Sequence, residues 1–298
     1  MKGAVWLLVA ALCPWPAAAA PAAAPGVEVV GVRLLPSDQP GFGGFSGLEF
    51  SPDGVNFIAL SDRAALVAGH VTRDGMGAVA TVSMDQPARP LRDRDGQPLT
   101  DPMADSEGLR IAPDGSLLIS FEQMHRVAHY LPDGRLIGTL PVPLAFADMV
   151  GNRSLETLAV DRDGAIYTVP EGQGPDIAGN PLFRYAHGGW QQVATLTSQG
   201  GFRPVDAQFG PDGRFYLLER DFWPLLGFRT RLRRITLGAG GGVVADQVLL
   251  TTRAGRFGNL EGLSLWQDAG GQLFATLVSD NNFLAVQDSE FVDLRLND

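Results

Sequence analysis

The segment EGLRIAPDGSLLISFE, residues 107–122, decides the fold of this 298-residue chain. It contains two short apolar runs separated by Pro-Asp-Gly, and it begins and ends with a glutamate. Proline presets φ for a turn and glycine accepts a positive φ, so the segment predicts a β-hairpin. The first residue of one hairpin strand and the last residue of the other lie at the same end. We therefore expect Glu107 to lie beside Glu122.

The same pattern recurs four more times along the chain. The other copies are SGLEFSPDGVNFIALSD (46–62), ETLAVDRDGAIYTVPE (156–171), VDAQFGPDGRFYLLER (205–220) and, with an insertion, EGLSLWQDAGGQLFATLVSD (261–280). In chain order the first residues of the five copies are separated by 61, 49, 49 and 56 positions. A four-stranded propeller blade takes roughly 40–50 residues, so each interval predicts one blade with a loop insertion.

An all-β fold, a β-propeller of five blades, is the predicted architecture, and one degenerate blade would raise the number to six. Further strands are expected at Val127–Leu131 with Leu136–Leu140, and at Leu232–Leu237 with Val243–Leu250. Because few residues follow the last hairpin, Val27–Leu35 is expected to supply its missing outer strand and close the ring. A β-sandwich with repeated hairpins is the alternative, and the near-equal spacing favours the propeller.

The composition excludes several classes of protein. Apolar residues make up 45% of the chain and charged residues 19%, which is too apolar for a disordered chain. There are 33 acidic and 23 basic residues, giving a net charge of −10, and Lys2 is the only lysine. Such a chain is a poor candidate for binding nucleic acid or an anionic membrane.

The first 24 residues have the layout of a secretory signal peptide. Lys2 precedes the apolar run Ala4–Leu12, and Ala17–Ala24 offers small-residue cleavage sites. We therefore expect an exported protein, periplasmic or extracellular, with one domain over residues 25–298. Cys13 is the only cysteine and lies in this leader, so the mature chain would have no disulfide. No second apolar segment is long enough to span a membrane. We also expect the protein to be a monomer.

Acidic residues lie at the hairpin ends that would converge around one mouth of the propeller channel. Crowded carboxylates need protons, arginines or a metal ion, and ligands that are all oxygen favour Ca²⁺, with Mg²⁺ as second choice. The alternative is that each carboxylate caps a strand end. The predicted metal ligands are Asp62, Glu107, Glu156, Glu219, Glu261 and Asp280, and Glu122 or Glu171 is the predicted general base.

Arginines beside these acids predict binding of a small anionic substrate. Arg63 follows Asp62, and Arg220 closes the fourth hairpin, so both are candidates for a bidentate contact with phosphate or carboxylate. For Arg110, midway along a strand, a salt bridge to a neighbouring acid is the favoured interpretation. The aromatic residues Phe222, Trp223 and Phe228 follow Arg220 and would either wall a pocket or pack against the adjacent blade.

The order of these short motifs resembles the phytase-like family, "esterase-like activity of phytase", over most of the chain from about Gly41. The matching pieces are SGL with SDR (46–63), DSEGL (105–109), Glu122, Asn152 with Glu156, LLER (217–220), NLEGL (259–263) and SDNNF (279–283). The resemblance implies a secreted propeller related to phytases that hydrolyse phosphomonoesters with calcium. It also implies that the family's recurring acids fall on Asp62, Glu107, Glu122, Glu156, Glu219, Glu261 and Asp280, and its arginines on Arg63 and Arg220.

The leading functional hypothesis is a metal-dependent hydrolase of a phosphoester or related ester, with a metal-activated water at the channel mouth. A non-catalytic propeller that binds a ligand or a protein of the cell envelope is the second hypothesis. A lactonase-type propeller enzyme is the third. Loss of activity in Glu107→Gln or Glu261→Gln would separate the first hypothesis from the second, and a panel of lactones would separate it from the third.

Overall fold

The computed structural model describes residues 26–35, 42–147, 155–171, 179–284 and 287–297, and within these ranges the chain is a five-bladed β-propeller. The predicted signal peptide and Asn152 lie outside these ranges. The five-bladed prediction is confirmed, because the first strands of the five sheets contact one another in cyclic order. Among the described residues, no helix has the length and apolar character needed to cross a membrane.

Each blade is an antiparallel sheet whose strands follow one another in the chain, apart from the first strand, β1 (Val27–Leu34), which belongs to the last blade. Blade 1 contains β2 (Phe45–Phe50), β3 (Asn56–Ser61), β4 (Ala65–Arg73) and β5 (Val79–Met84), and the short β6 (Arg89–Pro90) also pairs with β4. Blade 2 contains β7 (Ser106–Ile111), β8 (Leu117–Phe121), β9 (Arg126–Tyr130) and β10 (Leu136–Thr139). A single helical turn, α1 (Leu144–Ala147), follows it.

Blades 3 to 5 complete the ring. Blade 3 contains β11 (Ala159–Val160), β12 (Ile166–Thr168), β13 (Gly179–Ala186) and β14 (Gly189–Thr197). Blade 4 contains β15 (Arg203–Phe209), β16 (Phe215–Trp223), β17 (Gly227–Leu237) and β18 (Val243–Thr251). Blade 5 contains β19 (Asn259–Gln267), β20 (Leu273–Asp280) and β21 (Glu290–Leu296), with β1 as its outermost strand. The expected closure of the ring by the N-terminal strand is therefore confirmed.

The hairpin that begins blade 2 shows why the repeated turn sequence works. Gly115 adopts a φ of +82°, which a residue with a side chain rarely reaches. The Oδ1 atom of Asp114 accepts a hydrogen bond from the backbone N–H of Ser116 at 2.9 Å. The Asp-Gly pair therefore fixes the turn locally, before any contact between blades is made.

Hydrophobic packing lies between the blades. In the described part of the chain, five buried apolar clusters each join two neighbouring blades around the ring. In the contact between blades 5 and 1, for example, Phe291 packs edge-on against Phe57 with ring centroids 5.3 Å apart. Because each sheet is covered on both faces by its neighbours, the ring forms one continuous core.

A buried arginine fastens the last blade to the first. Arg73 of β4 donates a hydrogen bond to Asp293 of β21 at 2.8 Å, and its guanidinium stacks over Trp266 at 3.8 Å. Asp293 is fully buried, so its charge depends on this partner. The contact holds together the two blades between which the chain closes on itself.

Glycines let the inner strands approach closely around the narrow axis. A Cβ atom placed on Gly47 of β2 would lie 2.8 Å from the Cβ and 2.9 Å from the backbone N of Leu109 in β7. A Cβ on Gly108 would lie 2.8 Å from the Cβ of Leu158, in the segment that leads into β11. The repeated Gly-Leu sequence thus reflects packing between blades as well as strand formation.

Candidate functional site

The repeat's first residue falls at an irregularity in the inner strand. The ladder between the first two strands of a blade skips Ser46, Glu107 with Gly108, Val205 and Glu261 in blades 1, 2, 4 and 5. A β-bulge of this kind leaves a residue unpaired and redirects its side chain. In blade 3 the corresponding Glu156 lies just before β11. The same kind of irregularity therefore takes the first residue of the repeat out of the ladder in four of the five blades.

Three carboxylates from blade 2 form the densest acidic group. One side-chain oxygen from each of Asp105, Glu107 and Glu122 lies within 4.8 Å of the others. The backbone N–H of Glu122 donates to the carbonyl of Asp105 at 2.9 Å, which ties the start of β7 to the end of β8. The structure thus places Glu107 beside Glu122 and adds Asp105, which was not among the predicted metal ligands. The two-residue spacing of Asp105 and Glu107 is the signal that could have identified it.

An arginine and an asparagine organise the facing side of the mouth. The Nη1 atom of Arg220 donates to Oδ1 of Asn259 at 2.9 Å and also to Glu261. Asn259 Nδ2 donates to the same Glu261 carboxylate at 2.9 Å. Asp280 ends β20 opposite Asn259, and its Oδ1 accepts a hydrogen bond from the Asn282 N–H at 2.6 Å. Blades 4 and 5 therefore supply one cation and two further carboxylates.

Burial and mutual repulsion raise the pKa values of these acids. Burial raises the pKa of Glu107 well above its usual range, and the charges of Glu156, Glu261, Glu122 and Asp105 raise it further. Burial likewise raises the pKa of Glu156 well above its usual range, although Arg220 opposes the shift. Burial is also the main cause that raises the pKa of Glu261 to about 7 and that of Asp62 to about 6. At neutral pH these carboxylates therefore favour binding of a proton or a cation, either of which neutralises their negative charge.

Arg220 lies in the middle of this charge. Burial alone would lower its pKa, but the carboxylates of Glu261, Glu156, Glu171 and Glu107 raise the pKa above the usual arginine value. Arg220 therefore stays charged and links the acids of three blades. The structure brings together, through these interactions, the predicted site residues Asp62, Glu107, Glu122, Glu156, Glu171, Arg220, Glu261 and Asp280.

Glu219 does not join the mouth. Its two oxygens accept hydrogen bonds from Arg231 Nε at 2.5 Å and Arg233 Nη1 at 3.0 Å, and its side chain is fully buried. Glu219 and Arg220 are adjacent in β16, so their side chains point to opposite faces of the sheet. Both carboxylate oxygens are engaged by arginines, so the expectation that Glu219 holds a metal ion has no geometric support.

Two other predicted residues lie at the rim. The guanidinium of Arg63 stacks over the ring of Phe283 at 3.6 Å, and its backbone forms a β-bridge with Asp105. Glu171 ends the third hairpin, and one of its oxygens lies 3.5 Å from Nη1 of Arg203. Arg203 is partly exposed and was not foreseen from the sequence. Its position at the start of β15, opposite Arg220, was the available signal.

A buried ion cluster fills the channel below the mouth. Arg110 reaches across the axis and donates to Asp206 Oδ1 at 2.7 Å and, through Nε, to the Ala207 carbonyl at 2.9 Å. Glu49 lies 3.6 Å from Arg110 and accepts a hydrogen bond from Gln208 at 3.0 Å. Burial raises the pKa of Glu49 to about 7 and that of Asp206 to about 6, although Arg110 opposes both shifts. Arg110 therefore forms a salt bridge, as favoured, but its partners here are Asp206 and Glu49 of other blades and not an acid next to it in the chain.

A cavity of about 560 Å³ opens beside the acids. Its lining includes Glu171, Arg203, Arg220, Phe222, Phe228 and Asn259. A second cavity of about 420 Å³ shares Phe222, Phe228 and Asn259 and extends to Asp280. Carboxylates, arginines and aromatic rings therefore line two adjoining cavities, each of a size that suits a small molecule.

The fold and this site define the class: a β-propeller whose channel is closed by a buried ion cluster and whose mouth is lined by acidic oxygen donors. A model of the phytase-like family, described as esterase-like activity of phytase, matches residues 40–283. The chain belongs to this family. The match covers all five repeats of the hairpin pattern, so the resemblance of the short motifs is confirmed.

Solved structures with a similar arrangement are distant. Virginiamycin B lyase from Staphylococcus aureus is 12% identical, with 91% of this chain and 99% of that chain covered and a TM-score of 0.41. A protein of unknown function from Dyadobacter fermentans is 11% identical, with 92% and 100% covered and a TM-score of 0.47. A structure described as a gluconolactonase-family protein is 12% identical, with 89% and 92% covered and a TM-score of 0.43. No curated protein matches this chain.

The donor set fits the calcium ion that the family resemblance implies. Asp105, Glu107 and Glu122 offer only oxygen atoms, and they lie as close together as ligands of one ion. Ca²⁺ is held by carboxylate and carbonyl oxygens in flexible geometry, whereas Zn²⁺ favours histidine and cysteine. The raised pKa of Glu107 indicates that its carboxylate lacks a compensating positive charge.

Proposed function

We propose that this protein hydrolyses a phosphoester or a related ester at the propeller mouth with the help of a bound divalent cation, Ca²⁺ first. The observation that carries the proposal is the gathering of acids with raised pKa values around Arg220, which also lines a recess together with Arg203. Perturbed acids beside a small-molecule recess are characteristic of catalytic sites. Membership of the phytase-like family supports the reaction class.

The residues of the chain would divide the work as follows. Asp105, Glu107 and Glu122 would hold the cation, which when bound neutralises substrate oxygens and lowers the pKa of a water. Arg203 and Arg220 line the recess and would bind the anionic group of the substrate. Glu171 lies at the same recess and would accept a proton from the attacking water. Arg110 and Asp206 form a buried ion pair below these residues and would hold the inner strands in place.

Turnover of p-nitrophenyl phosphate and p-nitrophenyl acetate tests this proposal. Activity should require Ca²⁺ or Mg²⁺, disappear after chelation and return when the metal is added back. Glu107→Gln and Glu171→Gln should each lower kcat by about 100-fold or more, as loss of a general base or a metal ligand does. Glu28→Gln is the matched control, because Glu28 lies on the outermost strand and pairs with Arg295 at the surface.

A non-catalytic binding role is the outcome that would replace this proposal. It predicts that metal-loaded protein turns over neither substrate and that an anionic ligand still binds after Glu171→Gln. Hydrolysis with kcat unchanged in both Glu107→Gln and Glu171→Gln would contradict the assignment of the site.

We also propose export through residues 1–24, on the basis of their signal-peptide layout. N-terminal sequencing of the protein from a periplasmic or culture fraction would give a start near Ala24. Retention of Met1 in the mature protein would contradict export.

A further inference from the structure

The β16–β17 hairpin carries an aromatic pair on the same face as Arg220. Residues 220 and 222 are two positions apart in β16, so their side chains point the same way. Phe228 is the cross-strand partner of Phe222, and their ring centroids lie 4.9 Å apart. Because Arg220 faces the acids of the mouth, the aromatic pair extends the wall of that recess outwards.

One ring of this aromatic pair is exposed and the other is half-buried. Phe222 is 58% exposed, and both rings line the two adjoining cavities at the mouth. The residues between them in the chain form the tight end of the hairpin, so the pair stands on a paired, rigid strand segment. Of the two alternatives that the sequence left open, a pocket wall describes Phe222 better than packing against the adjacent blade.

The charges of the mouth limit how many anionic groups a ligand can carry. Among the described residues, eight acids gather there, namely Asp62, Asp105, Glu107, Glu122, Glu156, Glu171, Glu261 and Asp280, with three arginines, Arg63, Arg203 and Arg220. Arg220 is bound to Glu261, and Arg203 lies near Glu171. Like charges brought together without compensation repel, so even a cation-loaded mouth offers little positive charge to a polyphosphate.

We propose that the substrate is an amphipathic ester, with one small anionic group at the arginines and an aromatic or aliphatic group against Phe222 and Phe228. This inference rests on the proposed function and specifies its substrate class. A recess of about 560 Å³ lined by both arginines and aromatic rings matches such a molecule. A fully polar polyphosphate such as myo-inositol hexakisphosphate has no apolar group for the aromatic pair and carries more negative charge than the arginines can pair.

Isothermal titration calorimetry with two non-hydrolysable ligands tests this inference on the calcium-loaded full-length protein. Benzylphosphonate and methylphosphonate carry the same anionic group and differ in the apolar group. We expect benzylphosphonate to bind at least about tenfold more tightly, because its ring is removed from water against the aromatic pair. Phe222→Ser and Phe228→Ser should each reduce this ratio to about twofold while affinity for methylphosphonate stays unchanged.

Val244→Ser is the matched control, because Val244 is 71% exposed on an outer strand of the same blade. It should keep the full ratio. Equal binding of the two phosphonates by the wild-type protein would overturn the inference, as would tighter binding of myo-inositol hexakisphosphate. An unchanged ratio in both phenylalanine variants, with their folds verified by circular dichroism, would overturn it too.

The two proposals fail in different ways. Metal-dependent turnover with no preference for benzylphosphonate would contradict the amphipathic substrate and support the hydrolase function. The opposite result is a clear preference for benzylphosphonate that is lost in Phe222→Ser, with no turnover of any ester. It would support a recess that binds an amphipathic ligand and contradict the hydrolase function.

Discussion

Arg110 of blade 2 and Asp206 of blade 4 are joined across the propeller axis by a hydrogen bond of 2.7 Å between Nη2 and Oδ1. Both side chains are buried, and Asp206 also accepts a hydrogen bond from the N–H of Leu263 in blade 5 at 2.7 Å. This ion pair ties three blades together and closes the channel. The acidic mouth is therefore the end of a pocket, where water and charge are confined on one side.

Arg110→Met should destabilise the protein by about 3–5 kcal/mol, because it leaves Asp206 buried without its cation. Urea unfolding followed by circular dichroism measures the change in the free energy of unfolding. Arg135→Met is the control, because Arg135 forms an exposed pair with Asp133 and should lose less than about 1 kcal/mol. Equal losses in the two variants would contradict a structural role for the channel cluster.

The stability of the metal-free protein should depend on Glu49 between pH 4.5 and pH 7. Burial raises the pKa of Glu49 from 4.5 to about 7 in the folded state, so the folded protein holds this proton more tightly than the unfolded chain. The resulting stabilisation is complete below pH 4.5 and is lost as the pH rises through about 7, at about 1.4 kcal/mol for each unit of pKa difference.

Glu49→Gln removes this titrating group, so its free energy of unfolding should fall less steeply with pH than that of the wild-type protein. Urea unfolding in the presence of a chelator at pH 4.5, 6 and 8 measures the difference. The surface variant Glu28→Gln should reproduce the wild-type slope. A Glu49→Gln profile parallel to the wild-type profile would show that Glu49 does not titrate in this range.

Local signals in the sequence predict most of the fold. The Asp-Gly turns form within single hairpins, and their spacing gives the number of blades. Val27–Leu35 could be assigned to the last blade because that blade lacked a strand, and β1 covers Val27–Leu34. The hairpin ends also predict that Glu107 meets Glu122, since both lie at the same end of one hairpin.

Contacts between distant blades could not be predicted in the same way. Arg110 and Asp206 are 96 residues apart, although a signal exists: Glu49, Arg110 and Gln208 occupy the same position, three residues after the first residue of their repeats. Glu219 and Arg220 are adjacent in β16, and the alternation of side chains along the strand turns Glu219 towards arginines of β17 and Arg220 towards the mouth. The acidic character of a strand end therefore does not by itself decide whether its carboxylate faces the mouth.

Gly47→Ala should destabilise the protein by about 1–3 kcal/mol, because the added Cβ overlaps the backbone of Leu109 in the next blade. Gly138→Ala is a matched control in an outer strand, where nothing lies within 4 Å of the added atom, and its stability should match the wild-type protein or exceed it slightly. Differential scanning calorimetry compares the two Tm values. A Gly47→Ala variant as stable as Gly138→Ala would contradict the close approach of the inner strands.

Glu219→Gln should lower stability without changing the response to calcium. Removing its charge leaves Arg231 without its buried carboxylate partner, while Arg233 keeps Asp246, and the loss costs about 3 kcal/mol or more. The rise in Tm on adding calcium should equal the wild-type rise, because Glu219 is not at the mouth. Loss of the calcium-induced rise in Tm in this variant would indicate that Glu219 is a metal ligand after all.

Calorimetric titration of the chelator-treated protein with calcium tests most directly whether the gathered carboxylates hold a cation. Binding should be detected in the wild-type protein, raise its Tm and tighten as the pH rises, because the raised-pKa carboxyls must lose protons to bind metal. Glu107→Gln and Glu122→Gln should each weaken binding by about tenfold or more, whereas Glu28→Gln should leave it unchanged. Absence of binding by the wild-type protein, or equal binding by all these variants, would contradict a metal site at the propeller mouth.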